Sequence, residues 1–349
     1  MTINVCSYDE WEARSSRRLA TGLSPKVFAP PGREKITIHP RISDHAGLTI
    51  LADDWLPLQS GGGTTFEWMV HTPSQYPQKS LSLALRDGAW LPTTKDLLST
   101  QDSVVMIGGC KNYYHWLIDY LPRLLVADGM EEYQGWPLVM NQGMAAHQLE
   151  SLSLLGIDAA QMMLLEPGQG LQAACVAVPT LLSTTTLCHP AVHRMLRHAF
   201  PPTLNLPRKR IYLSRDDASN RRLTNEPELL ELLRRYGFEK YVAGDMSFQD
   251  QVNLFASADA VVTAHGAGMT NIVFSPPGAE VFEIAFTSYR VSSMHFLAVL
   301  GGQPHGFINA RVADSRHPSP LLNDWEVDLA HMQSALESRL GQRPAGRAD

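Results

Sequence analysis

Residues 261–271 read V-V-T-A-H-G-A-G-M-T-N: a buried strand that breaks at small residues and runs directly into a helix. Such a junction leaves several backbone N–H groups without partners at one point and adds the positive end of a helix dipole. Its glycines also admit a ligand close to the main chain. Phosphate suits that geometry. Gly266 and Gly268 would equally serve a tight strand-to-helix connection with no ligand, so the flanking sequence has to decide.

From Arg210 the flanking sequence alternates between strand and helix patterns. Arg210–Ser214 reads as a short apolar strand. Asn225 and Glu228 form a capping box for a helix with Leu229, Leu230, Leu232 and Leu233 on one stripe, closed by Gly237. Phe238–Val242 is the next strand, and Ser247 caps a helix carrying Val252, Phe255 and Ala256. Ala260–Thr263 leads into the glycine junction and a short helix at Met269. Ser275-Pro276-Pro277-Gly278 is a turn, and Glu280–Ile284 is a fourth strand. Helical crossovers of this length imply a parallel, Rossmann-like sheet whose ligands collect at the carboxyl ends of the strands. Ser214, Arg215, residues 263–268 and Glu283 all fall at or just past such ends.

The front half alternates less clearly. Strands are predicted at Ile36–Ile38, Leu48–Leu51, Phe66–Val70, Val104–Ile107, Leu138–Met140, Met162–Leu165 and Ala173–Val178, with helices over Tyr113–Val126 and Met144–Leu155 and a flexible turn at Gly61–Gly63. The chain of 349 residues is long for one core. It divides into an amino-terminal α/β domain over 1–180, a linker rich in Thr, Pro and His over 181–206, a Rossmann-like domain over 207–310, and a carboxyl-terminal extension and tail over 311–349.

Hydrophobic residues at 44% and charged residues at 18% support buried cores, and a net charge of -6 removes the footprint of a general nucleic-acid binder. Small anions are the better charged ligand. Cys6, Cys110, Cys175 and Cys188 are widely spaced and fit a reducing compartment. The acidic residues near the start are unlike a secretory leader, and no run approaches the length needed to span a bilayer. A cytoplasmic location is expected, with peripheral attachment to the membrane's inner face left open.

Two further segments carry chemistry. In N-Y-Y-H-W-L-I-D-Y-L-P-R (112–123), His115 and Asp119 are four apart on a helix, so the carboxylate can hold one imidazole N–H and raise the ring's basicity. That arrangement serves an oriented general base, a structural hydrogen bond, or a scheme in which Asp119 is itself the base. Pro122 either kinks this helix or starts another. In S-R-D-D-A-S-N-R-R-L (214–223), Arg215 with Arg221 or Arg222 suits a diphosphate, because guanidinium groups bind phosphate bidentately and keep their charge. The rival is a solvated loop paired to Asp216 and Asp217. Neither that pair nor Asp53-Asp54 has a third oxygen ligand at a recognisable spacing, and His189, His193 and His198 show no zinc pattern, so no metal site is expected.

Three blocks together resemble glycosyltransferase family 61: 112–125, I-Y-L-S-R-D-D-A-S-N-R-R-L-T-N-E at 211–226, and the stretch from Phe248 through H-G-A-G-M-T-N to P-P-G-A-E-V-F-E-I at 284. The resemblance implies a GT-B-like α/β architecture, with two Rossmann-like domains facing a central cleft. It implies an inverting, metal-independent transferase moving sugar from a nucleoside-diphosphate sugar to a saccharide or glycolipid hydroxyl in surface polysaccharide biosynthesis, with no cofactor beyond that donor substrate. Ser214, Arg215, Asn220, Arg221 and the turn His265, Gly266, Ala267, Gly268, Thr270 and Asn271 would face the donor. Glu283 would hold a ribose hydroxyl, and His115 and Asp119 would be catalytic. A sugar-nucleotide hydrolase or epimerase, or a non-catalytic nucleotide-binding subunit of a polysaccharide assembly complex, uses the same residues. Oligomeric state has no signature.

Overall fold

The computed structural model describes residues 96–341 except 184–187, 287–291 and 315, parts of 42–58 and 83–92, and short strands at 4–5, 26–28 and 36–38. The expected strand at 66–70, the turn at 61–63, Asp53-Asp54 and residues 342–349 lie outside the described residues. The chain divides into two compact units, Met1–Ala199 and Phe200–Asp349.

The first unit is built on an eight-stranded mixed sheet. Its strands run β1 (Asn4–Val5), β2 (Lys26–Phe28), β3 (Ile36–Ile38), β4 (Ile42–Ala46), β5 (Thr49–Leu51), β6 (Leu56–Leu58), β7 (Leu83–Arg86), β8 (Ala89–Pro92), β9 (Asp96–Gly108), β10 (Leu138–Asn141), β11 (Met162–Leu165) and β12 (Gln169–Pro179), with β2-β3 and β7-β8 as separate hairpins. The sheet order is β1-β4-β12-β9-β10-β11, and β5-β6 joins through β12. Neighbours β12, β9, β10 and β11 are parallel, whereas β4 and β5 run antiparallel to β12. The buried run Val104–Ile107 in β9 explains its central place. Helices Leu121–Asp128, Ala146–Leu154 and Ala191–Ala199 complete the unit. The last of these lies inside the stretch marked as linker. Its Ala191, Val192, Met195 and Leu196 are fully buried, a periodic face diluted in the sequence by His and Arg.

In the second unit the strands are β13 (Lys209–Ser214), β14 (Phe238–Val242), β15 (Ala258–Ala264), β16 (Glu280–Phe286), β17 (His305–Val312) and β18 (Trp325–Val327). They form one sheet in the order β14-β13-β15-β16-β17-β18, parallel except for β18. Connection order 2-1-3-4-5 is a doubly wound pattern, and its reversal between β13 and β15 creates the crevice where such sheets bind ligands. One face carries Tyr212, Val262, Phe282, Ile284 and Ile308 against Leu229, Leu232 and Leu233 of helix Glu226–Arg235 and Met332 and Leu336 of helix Leu329–Leu340. The elements after residue 305 therefore finish the core, although their hydrophobic pattern is weak. Asn225 does not form the expected cap. Its amide is taken by β18, donating to the Val327 carbonyl at 2.9 Å and accepting the Val327 N–H at 3.0 Å.

Candidate functional site

The chain leaves β13 at Ser214 and β15 at Ala264, on the two sides of the reversal point. Gly266 is extended (φ 179°) and opens a 3-10 helix, Ala267–Phe274. The leading N–H groups of such a helix have no intrahelical acceptors. Arg215 covers the turn so closely that a Cβ on Gly266 would lie 1.8 Å from its Nη1. Asn220 fixes the guanidinium: its carbonyl accepts from Arg215 Nε and Nη2 at 3.3 and 3.1 Å. Asn220 Oδ1 accepts from Arg215 Nη2 at 3.4 Å and from Arg221 Nε at 3.3 Å. One side chain thus gathers two guanidinium groups. Burial lowers the Arg215 pKa to about 10, with Arg221 adding to the effect and Asp217 and Asp324 opposing it. Arg215 stays charged at neutral pH. Of the two neighbouring aspartates, Asp216 pairs with Lys240 at 2.5 Å, and Asp217 accepts the Gly244 N–H at 2.9 Å.

Several expected donor residues are turned inward. Ser214 is buried and donates to Glu226 at 2.6 Å. Thr270 and Asn271 are fully buried, and Asn271 donates to Gln251 Oε1 at 2.8 Å and to the Gly268 carbonyl at 3.2 Å. Within the turn, Ala267 and Gly268 are the partly exposed residues. Glu283 lies within β16, not beyond its end, and is fully buried. Its register partners are Thr263 and Phe307, so the period-two alternation puts His265 and His305 on its face from the two adjacent strands. His265 Nδ1 lies 2.5 Å from Glu283 Oε1 and His305 Nε2 lies 2.8 Å from Oε2. Burial raises the Glu283 pKa, but the two imidazole hydrogen bonds outweigh it and leave the carboxyl below its ordinary value. Each Glu283 oxygen is bonded to one imidazole, so the carboxylate orients His265 and His305. His305 had no sequence signal, because its role depends on strand register.

In the first unit, Asn112 accepts the N–H groups of Tyr114 and His115 at 3.0 and 3.3 Å and starts a helical segment. Residues Trp116–Tyr120 then form a π-turn closed by the Leu121 N–H on the Trp116 carbonyl. An α-helix begins at Leu121 with Pro122 in its first turn, the second of the two outcomes the sequence allowed. The wider turn accommodates a residue that would crowd the carbonyl four positions back. His115 Nδ1 and Asp119 Oδ2 are 2.7 Å apart, and the imidazole is 38% exposed against 6% for the carboxylate. Ser183, brought from the distant segment after β12, donates to the other Asp119 oxygen.

With the Asp119 carboxylate as acceptor the imidazole donates from Nδ1, and in that tautomer Nε2 carries the lone pair. Burial, and then the charge of Asp119, push the Cys188 thiol up to about 12 and hold the Tyr114 hydroxyl protonated. Burial also lifts Cys110 to about 11. None of the three is a base at neutral pH. Arg123, fully buried one turn beyond Asp119, is lowered by burial to about 10 and donates to the Ile107 carbonyl at 3.3 Å. Among the described residues no cluster of His, Cys, Asp or Glu is arranged to hold a metal ion, and no helix is long and apolar enough to cross a membrane.

No curated protein is significantly similar to the chain. Among solved structures, the dodecameric iron-containing heptosyltransferase TibC in complex with ADP-D-beta-D-heptose is 11% identical over 72% of this chain and 77% of its own, with a TM-score of 0.30. The dodecameric glycosyltransferase TibC from enterotoxigenic E. coli H10407 is 13% identical over the same shares, with a TM-score of 0.28. Likenesses of that size bear on neither fold nor activity. The family model Glycosyltransferase 61 matches residues 113–282, a range that spans the His115–Asp119 pair, the arginine loop and the glycine turn. Over that range the chain is similar to glycosyltransferase family 61.

Proposed function

We propose that the chain is an inverting glycosyltransferase that takes its sugar from a nucleoside-diphosphate donor held by the second unit, with the acceptor hydroxyl activated by the first, in the GT-B manner. The observation that carries the reading is the Arg215 guanidinium lying on Gly266 at the reversal point of the sheet. Arg215, Arg221, the N–H groups of Ala267 and Gly268, and His265 supported by Glu283 would take up the charge that develops on the departing diphosphate. The two guanidinium groups and the N–H donors would supply what a divalent cation supplies elsewhere, so the reaction is read as metal-independent. The acceptor is a saccharide or glycolipid hydroxyl, and the setting is surface polysaccharide synthesis in the cytoplasm or at the membrane's inner face.

The chemical step is a single displacement. The acceptor oxygen attacks the anomeric carbon, the bond from that carbon to the β-phosphate oxygen breaks with its electron pair leaving on the phosphate, and the hydroxyl proton passes to His115 Nε2. Asp119 has its oxygens on His115 and Ser183, which favours it as the group that orients the base over the base itself. Isothermal titration with uridine, guanosine, adenosine and cytidine diphosphates tests donor binding. His115→Ala should keep that binding and lose about 10² to 10⁴ in turnover. Unchanged transfer would remove His115 from the mechanism.

A further inference from the structure

Asn323 and Asp324 lie beyond the family match, in a segment whose sequence carries no chemical motif, and both are buried. They meet the arginine loop residue by residue. The Arg221 N–H donates to the Asn323 carbonyl at 3.0 Å, and the Arg222 N–H donates to Asp324 Oδ1, also at 3.0 Å. Trp325 N–H then donates to the Arg222 carbonyl at 2.9 Å, and Thr224 N–H to the Trp325 carbonyl at 2.8 Å. The guanidinium of Arg222 is drawn the same way, 3.4 Å from Asp324 Oδ2, where Arg316 also binds at 2.7 Å. Asn323 is itself fixed: its amide donates to the His317 carbonyl at 2.8 Å and accepts the His317 N–H at 2.8 Å.

The consequence appears in the backbone. Arg221 is a non-glycine residue at φ 57°, a conformation that persists only where surrounding contacts over-determine it. Its neighbour Arg222 is exposed and directed to Asp324, while the charge of Arg221 is felt by Arg215. Sequence alone left Arg221 and Arg222 as alternatives, and this contact set separates them.

We propose that Asn323 and Asp324 are positioning residues for the donor diphosphate: they hold residues 220–222 so that Arg221 joins Arg215 while Arg222 is turned onto Asp324. The inference rests on the donor reading above. It adds a segment outside the family match that fixes which arginine faces the ligand.

The test is titration of the full chain with the four nucleoside diphosphates, paired with donor KM and kcat. In Asp324→Ala the Arg222 N–H loses its acceptor, and the loop relaxes. One misplaced charge-assisted contact corresponds to a dissociation constant raised about 10-fold or more, with kcat at saturating donor little changed. Asp324→Asn keeps an oxygen for that N–H and discards only a negative charge near the ligand. Its affinity should match or exceed that of the wild type, which general destabilisation would not produce, whereas an effect of charge alone would raise affinity in Asp324→Ala as well. Arg222→Ala should bind normally and Arg221→Ala should not, a contrast that holds even if Asp324→Ala fails to fold. Wild-type affinity in Asp324→Ala, equal impairment in Asp324→Asn, or equal loss in the two arginine variants would overturn the inference alone. Absence of binding by the wild-type chain to all four diphosphates would overturn the donor reading together with it.

Discussion

Gly266 is required for space, not for backbone freedom, since extended backbone at φ 179° is open to any residue. A methyl group there would meet the Arg215 guanidinium at 1.8 Å, and the guanidinium would have to leave the position proposed for binding phosphate. Gly266→Ala should therefore raise the dissociation constant for a nucleoside diphosphate about as much as removing one charge-assisted hydrogen bond, roughly 10-fold or more, by titration calorimetry. Gly268 is the internal control. A Cβ there lies 3.2 Å from Leu213 Cδ2, a side-chain end that can yield by a few tenths of an ångström, so Gly268→Ala should have a smaller effect. Equal losses in the two variants would refute the steric account. Arg215 and Gly266 were legible in the sequence because each advertises its chemistry by residue type beside a strand end. Ser183, His305 and Asn323 were not, because a serine, a lone histidine and an asparagine acquire meaning only from what the fold brings against them.

Three adjacent strands share one buried charge. Glu283 in β16 is bonded by His265 just past β15 and His305 at the start of β17, and its net downward pKa shift keeps it ionised. The unfolded chain, with an ordinary value near 4.5, binds a proton between that value and the lower folded one. Stability from this group is thus complete above about pH 4.5 and is lost as pH falls through the folded value. Urea midpoints measured down the acid range should fall in that window, and Glu283→Gln should remove this part of the slope. An unaltered slope would show that the carboxylate is not the titrating group. At this scale the sequence was a good guide wherever strong periodicity met clear turn residues: Phe238–Val242 and Met162–Leu165 have the predicted bounds. It misled where a side chain had two uses. Asn225 can cap a helix or bridge to a strand, and only the arrival of β18 decides. It was silent on β17, β18 and the last helix, whose apolar residues are interleaved with His, Arg and Glu.

Across the whole molecule the two sets of chemical groups fall on different compact units: His115, Asp119 and Ser183 in residues 1–199, and the arginine loop, glycine turn and imidazole pair in residues 200–349. The net charge of -6 gives no general attraction for a polyanion, so the proposed affinity for a diphosphate would come from the local field of Arg215 and Arg221. Such a field is screened over a Debye length of about 10 Å at 0.1 M salt, and less reaches an incoming anion as salt rises. The dissociation constant for a nucleoside diphosphate should therefore increase with added sodium chloride in the wild-type chain. The salt dependence should be shallower in Arg215→Ala, where one of the two charges is gone, and unaltered in Ser183→Ala, which acts through Asp119 on the base. Donor affinity and its salt response would then belong to the second unit, and the pH dependence of turnover to the first. A Ser183→Ala variant that lost affinity for the diphosphate, or an Arg215→Ala variant with the wild-type salt response, would break that division of labour.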